Sequence, residues 1–156
     1  MFALSLTVDV NPAGAVPKLT REQVWRGLVM KAENAVPFVP GMTRCQIVER
    51  LNETSFWRKV EYRGETFAEK VTLTEPVEVL FEHETETLNA GWITNVLSDH
   101  DDGVVLTFTF AVSFPGKAAG SPEERAAGND MRGAYSAAVS ATLEAVRALV
   151  VRGEIA

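Results

Sequence analysis

SFWRKVEYRGETFAEKVTLTEPVEVLFEHE, running from Ser55 to Glu84, alternates polar and apolar residues and is interrupted by turn material at Gly64-Glu65 and Glu75-Pro76. Period-two alternation between turn signals is the pattern of half-buried strands joined as hairpins. With Gly64-Glu65 taken as a two-residue loop, Arg63 faces Thr66, Tyr62 faces Phe67 and Val60 faces Glu69. Phe56, Arg58, Val60 and Tyr62 then share a face with Phe67, Glu69, Val71 and Leu73. The opposite face carries Trp57, Lys59, Glu61, Arg63, Ala68, Lys70, Thr72 and Thr74 and belongs to solvent. A three-residue link at Thr74-Glu75-Pro76 keeps Val77, Val79, Phe81 and His83 on the apolar face, with Glu78, Glu82 and Glu84 outside.

The same pattern extends in both directions. Strands are expected over Phe2 to Val10, Thr43 to Leu51, Ser55 to Arg63, Phe67 to Thr74, Val77 to Glu84, Gly91 to Asp99 and Val104 to Phe114. Short links at Asn52-Glu53-Thr54, Thr87-Leu88-Asn89 and Asp101-Asp102-Gly103 make neighbouring strands antiparallel, since parallel neighbours need long crossovers. On the last strand Leu106, Phe108, Phe110, Val112 and Phe114 are expected to point inward.

Two helices frame these strands. Thr20 and Gln23 have capping-box spacing, and Leu19 and Val24 occupy the hydrophobic-staple positions, so a helix starts at Arg21. Val24, Trp25, Leu28, Val29 and Ala32 form its apolar stripe, which stops before Pro37. Near the C-terminus, Ser121-Pro122-Glu123-Glu124 joins an N-cap serine to a proline at N1 and a glutamate at N3. Met131, Tyr135, Val139, Leu143 or Thr142, Val146 and Val150 continue as one stripe to Arg152, about 45 Å at 1.5 Å per residue. Gly128 and Gly133 weaken the first turns, so a bend or a later start is expected there.

The chain has 156 residues, 46% hydrophobic and 23% charged, the composition of an ordinary globular domain; one domain, 1–156, is expected. Fifteen basic against twenty-one acidic residues give a net charge of -6, the wrong sign for a nucleic-acid partner. No apolar run approaches the roughly 20 residues of a spanning helix, so membrane insertion is not expected. The segment Met1 to Val10 reads as a strand and not as a signal peptide, which implies a cytoplasmic protein. Cys45, a lone cysteine in a strand, reads as a small buried hydrophobe. With one cysteine and two histidines, zinc-ligand spacings are absent, and no phosphate loop, nucleophile elbow or dinucleotide fingerprint occurs, so neither metal nor cofactor is expected.

The order of elements, a strand, a helix and a short helical turn at Pro37 to Gly41, six antiparallel strands and a long helix, is that of an α+β helix-grip fold. The resemblance is closer in detail. Asn11-Pro12, Leu19-Thr20-Arg21, Gln23-Val24-Trp25-Arg26-Gly27-Leu28, and Pro37-Phe38-Val39-Pro40 with Cys45 resemble the opening of the AtaL-like family of the SRPBCC/START superfamily. Arg58, Tyr62-Arg63-Gly64, Glu69-Lys70-Val71, Pro76-Val77 and Trp92-Ile93-Thr94-Asn95 are similar to its strand motifs. The resemblance covers roughly residues 5 to 115 and is weakest over the terminal helix. It implies a ligand cavity between a curved seven-stranded sheet and that helix. It carries no catalytic signature, and some fungal members of the family are encoded beside natural-product pathways.

The residues expected to line that cavity are Phe56, Arg58, Tyr62, Glu69, Phe81, His83, Phe108, Phe110, Met131, Tyr135 and Val139. Arg58 and Glu69 lie diagonally across their hairpin in this register. They form either a structural ion pair, near the sheet edge or a cavity mouth, or a polar anchor for a guest. His83 is either a hydrogen-bonded core histidine or a general acid or base. His100-Asp101-Asp102 reads as a solvated turn. Ala134, Ala138, Ala141, Ala145 and Ala148 reflect helix propensity or leave room for a guest, propensity being the better account of the distal half. Three functions follow: a binding module for a small apolar or aromatic metabolite; a polyketide cyclase or dehydratase-like enzyme moving protons with Arg58, Glu69, Tyr62 or His83; or an interaction protein with an incidental cavity. Each is compatible with a homodimer.

Overall fold

A computed structural model describes residues 1–84, 91–101 and 103–156. Seven strands form one antiparallel sheet: β1 Phe2–Asp9, β2 Met42–Arg50, β3 Ser55–Tyr62, β4 Glu65–Thr74, β5 Glu78–Glu84, β6 Gly91–His100 and β7 Gly103–Val112. Their order is β1-β7-β6-β5-β4-β3-β2, so the six later strands meander and β1 adds itself beside β7. The fold is the expected α+β helix grip. The expected link Thr87-Leu88-Asn89 falls outside the described residues, as does Asp102 of the expected turn Asp101-Asp102-Gly103.

The β3–β4 hairpin keeps a two-residue loop but turns one residue earlier than Gly64-Glu65 implies, which shifts the cross-strand partners by two. Arg63 and Gly64 occupy the loop with φ of 50° and 84°, the two positive values that a type I′ turn requires. Tyr62 therefore faces Glu65, Val60 faces Phe67, and Arg58 faces Glu69 directly and not diagonally. A slip of two residues preserves the faces because side chains alternate with period two. Phe56, Arg58, Val60, Glu69 and Val71 are buried as expected, while Lys59 is exposed. Val77 is a correction: it sits in the β4–β5 turn, 43% exposed, because Thr74 pairs with Glu78. Phe114 lies beyond the end of β7 and is half-buried. Cys45 is half-buried on the edge strand β2, with its Sγ near the Glu33 carbonyl, and not in the core.

Helix α1 spans Arg21–Glu33, and both arms of the Thr20–Gln23 capping box are formed. The terminal helix is broken in two: α2 is Pro122–Asp130 and α3 is Arg132–Val151. Ser121 Oγ accepts from the Glu124 amide, but the Glu124 carboxylate reaches back to the Gly120 amide, one residue before the cap. Gly128 explains part of the break. A Cβ there would collide with the Phe2 ring, so α2 lies directly on β1 at that residue. Pro122–Val151 also contains a window long and apolar enough to cross a membrane by length and composition, contrary to expectation. Its apolar stripe is used internally: Val139, Leu143, Val146 and Leu149 join the core with Val24, Trp25 and Leu28 of α1 and Leu97, Leu106 and Phe108 of the sheet.

Helices α1 and α3 approach each other at Gly27, where an added Cβ would run into the γ-methyl of Val146. Valine has little rotamer freedom on a helix, so the helices themselves must part. Gly27→Ala is therefore expected to lower stability by about 1–2 kcal/mol, with overpacking outweighing the propensity gain of alanine. Denaturant melts check this, and an unchanged or raised midpoint would show that the contact yields freely.

Candidate functional site

The concave face of the sheet and the α2–α3 junction enclose a cavity of about 330 Å³. The proximal half of α3 stands over it, while the distal half packs into the core. Ala134 and Ala138 line the cavity, and Ala145 packs against the core cluster. Of the expected residues, Arg58, Tyr62, Glu69, Phe81, His83, Phe108, Phe110, Met131 and Tyr135 line the space. Phe56 and Val139 do not. Both are almost completely buried and belong to the core cluster, displaced from the cavity by their packing.

The wall is mainly apolar: Val39, Phe67, Phe81, Ile93, Phe108, Phe110 and Val112 contribute to it. Tyr135 stacks on Phe110 with ring centroids 3.7 Å apart and planes 10° from parallel. Its hydroxyl donates to Met131 Sδ at 3.5 Å. Burial, with a smaller contribution from Tyr62, pushes the Tyr135 phenol up to about 12, so it remains a neutral donor at ordinary pH. Exposed Arg63, Glu65 and Asp130 mark the mouth, between the β3–β4 turn and the α2–α3 junction.

The floor is polar and buried. Arg58 and Glu69 are each 3% exposed, so their pair is neither at a sheet edge nor in water. Arg58 Nε donates to Glu69 Oε2 at 2.7 Å, and Nη2 lies against the same oxygen. Arg58 Nη1 donates to the carbonyls of Lys31 and Ala32 at 3.0 and 2.7 Å. Those carbonyls belong to the last turn of α1, where intrahelical donors run out and the helix dipole favours a cation. Arg58 thus ties the C-terminus of α1 to the sheet. Burial alone would raise the Glu69 carboxyl, but Arg58, with His83, outweighs it and holds the group down at about 2.

His83 Nε2 lies 2.9 Å from Glu69 Oε1. That proximity helps to hold the Glu69 carboxyl down, although by strict geometry Nε2 has no hydrogen-bond partner among the described residues. The His83 ring packs against Phe67, with centroids 5.3 Å apart. His100 is exposed in the β6–β7 turn region and far from this chemistry in sequence register, pairing with Gly103.

Lys31 is the floor residue that strand patterning does not show. It is 5% exposed, lines the cavity, and donates from Nζ to Asn95 Oδ1 at 2.6 Å. Nζ also sits 4.3 Å from the Phe108 ring centroid and 5.3 Å from that of Phe81. The signal was present in the helix period: Lys31 lies seven residues after Val24 and three after Leu28, on the apolar stripe. Asn95 is likewise a polar residue at an inward position, between Ile93 and Leu97 of β6, and it is fully buried.

No curated protein matches the chain by sequence. Solved structures match its fold. The Zhui aromatase/cyclase from Streptomyces sp. R1128 is 16% identical with a TM-score of 0.68, over 96% of this chain and 95% of that one. The di-domain aromatase/cyclase StfQ of the steffimycin biosynthetic pathway is 14% identical with a TM-score of 0.71, over 98% of this chain; the chain spans 52% of StfQ. Ara h 8.0201 is 14% identical with a TM-score of 0.60, over 97% and 98% of the two chains. At these identities the likeness is one of fold. The family model described as acetylaranotin biosynthesis cluster protein L matches residues 4–153, terminal helix included, and the chain accordingly belongs to the AtaL family.

Proposed function

We propose that this protein binds one small, largely apolar and aromatic molecule in the cavity between the sheet and the α2–α3 junction. The observation that carries this reading is the shape of the space itself. It is about 330 Å³, walled by aromatic rings, open at one end and polar at the floor, which is the usual build of a small-molecule site. Apolar contact supplies only part of the affinity. Burying about 300 Å² of ligand surface yields roughly 7 kcal/mol, against an association cost of at least about 4 kcal/mol. Contacts with the floor or with the Tyr62 and Tyr135 hydroxyls supply the rest.

N-phenyl-1-naphthylamine is expected to bind one per chain with enhanced fluorescence and to be displaced by 2-naphthol. Absence of both signals, together with a crystal structure in which side chains fill the space, would overturn the reading. A second reading, a cyclase-like enzyme, is favoured by one feature: the floor gathers Lys31, Arg58, Glu69 and His83, groups able to hold or move protons beside an apolar chamber. The aromatase/cyclase neighbours Zhui and StfQ support the same reading by fold. A bell-shaped pH–rate profile on a poly-β-ketone substrate would separate enzyme from carrier.

A further inference from the structure

Buried lysines ordinarily have a carboxylate partner. Lys31 has none among the described residues, because the nearby carboxylate, Glu69, is taken by Arg58 and faces His83 on its other oxygen. The amine has one polar partner, Asn95 Oδ1, and two aromatic faces. Arg58 shares one of those faces, with its guanidinium carbon 4.7 Å from the Phe81 centroid. The charged and titratable groups that line the cavity with Lys31 are Arg58 and Tyr62 of β3, Arg63 of the β3–β4 turn, Glu65 and Glu69 of β4, His83 of β5, Asp130 of α2 and Tyr135 of α3. This is an amine held out of water, beside a second cation, at the wall of a ligand-sized chamber.

We propose that Lys31 condenses with an aldehyde or ketone carbonyl of the bound molecule, forming an imine. The inference rests on the pocket reading above and deepens it by naming the ligand as a carbonyl compound. The Nζ lone pair attacks the carbonyl carbon, a C–N bond forms, and the C=O π electrons move to oxygen. A proton passes from nitrogen to that oxygen to give the carbinolamine. The hydroxyl takes a second proton, from solvent, and leaves as water while the nitrogen lone pair closes the C=N bond, giving the protonated imine; no electron is gained or lost overall. The protonated imine would inherit the place over Phe81 and Phe108, where aromatic faces favour a cation. Burial, then the Arg58 charge, lower the Lys31 amine from 10.5 to about 7 despite the opposing pull of Glu69. An amine so placed is substantially neutral at pH 7, the state that nucleophilic catalysis requires.

The test uses the whole chain, 2-naphthaldehyde at one equivalent and cyanoborohydride at pH 7, read by intact mass and peptide mapping. One reduced adduct is expected, on Lys31. Lys18, Lys59, Lys70, Lys117 and the Met1 amine do not line the cavity and serve as internal controls. Labelling should rise with a midpoint near pH 7, as for the Lys31 amine, and be lost in both Lys31→Met and Lys31→Arg. Binding of 2-naphthol, which has no carbonyl, is measured alongside. If 2-naphthol binds the wild type but the label is absent from Lys31 or spread over the other lysines, Lys31 is a structural donor to Asn95 and the inference falls while the pocket stands. If neither 2-naphthol nor N-phenyl-1-naphthylamine binds, side chains fill the space in a crystal structure and Lys31 is unlabelled, both fall; if 2-naphthol alone fails to bind, the label on Lys31 decides the inference. The wild-type map and pH midpoint decide the matter even if a variant does not fold.

Discussion

Glu69→Gln is expected to destabilise the protein by about 3–5 kcal/mol, the usual cost of leaving a buried charge without its partner. Arg58 and Glu69 are both almost excluded from water, and the remaining acceptors of the guanidinium are neutral carbonyls. A glutamine oxygen still accepts a hydrogen bond but cannot balance the charge. The pH dependence has the same origin. The carboxyl is lowered in the folded state to about 2 from 4.5, so its stabilising contribution is complete above the unfolded value and is lost as pH falls through that interval. Glu69→Gln should therefore flatten the acid side of the stability profile.

The double change Arg58→Met with Glu69→Leu should recover part of the loss and not all of it. Replacing a buried pair by apolar groups removes the desolvation cost, but the Lys31 and Ala32 carbonyls at the end of α1 lose their donor, a residual on the order of 1–2 kcal/mol. Denaturant melts of the wild type, the two single variants and the double variant measure each quantity. A Glu69→Gln midpoint within error of the wild type would mean that water reaches the pair, making it a ligand anchor and not a tie between helix and sheet.

The parts of this architecture legible in the residues are those set by local chemistry. Thr20 and Gln23 announce α1 because a capping box satisfies amides that only those side chains can reach. The strand faces are legible because one side of the β3–β4 hairpin is apolar but for Arg58, Glu69 and the Tyr62 hydroxyl. The hairpin register was not, since Gly64 marks a turn without saying which of its two positions it fills. Arg63 takes the other with φ of 50°, a conformation that non-glycine residues seldom adopt. The break at Met131 was foreshadowed by Gly128 and Gly133, but its cause includes the Phe2 ring on a strand more than a hundred residues away. Lys31 escaped for a different reason. A lysine in a surface-type helix is assigned to solvent by default, and only its place on the stripe of Val24 and Leu28 argues otherwise. The partners that make its burial tolerable, Asn95 and two phenylalanine rings, come from distant strands.

Ala138→Phe is expected to abolish probe binding, by at least about tenfold in affinity, or 1.4 kcal/mol, while leaving the melting temperature unchanged or raised. Ala138 lines the cavity one turn beyond Ala134, so a phenyl group there has room to enter and occupies volume that a guest would need. Filling a pre-existing space adds apolar contact without forcing neighbours off their rotamers. The control is Ala145→Phe, two turns further along α3. Ala145 is partly buried, packs against the core cluster and does not line the cavity, so a ring there meets core side chains and should cost about 1–3 kcal/mol through overpacking. The contrast distinguishes the two halves of the helix: Ala134 and Ala138 leave volume, whereas Ala145 packs against the core. Probe titrations and melts on both variants give four readings. Equal destabilisation at the two sites would mean that the chamber collapses in solution. Full probe affinity retained in a well-folded Ala138→Phe would place the ligand elsewhere.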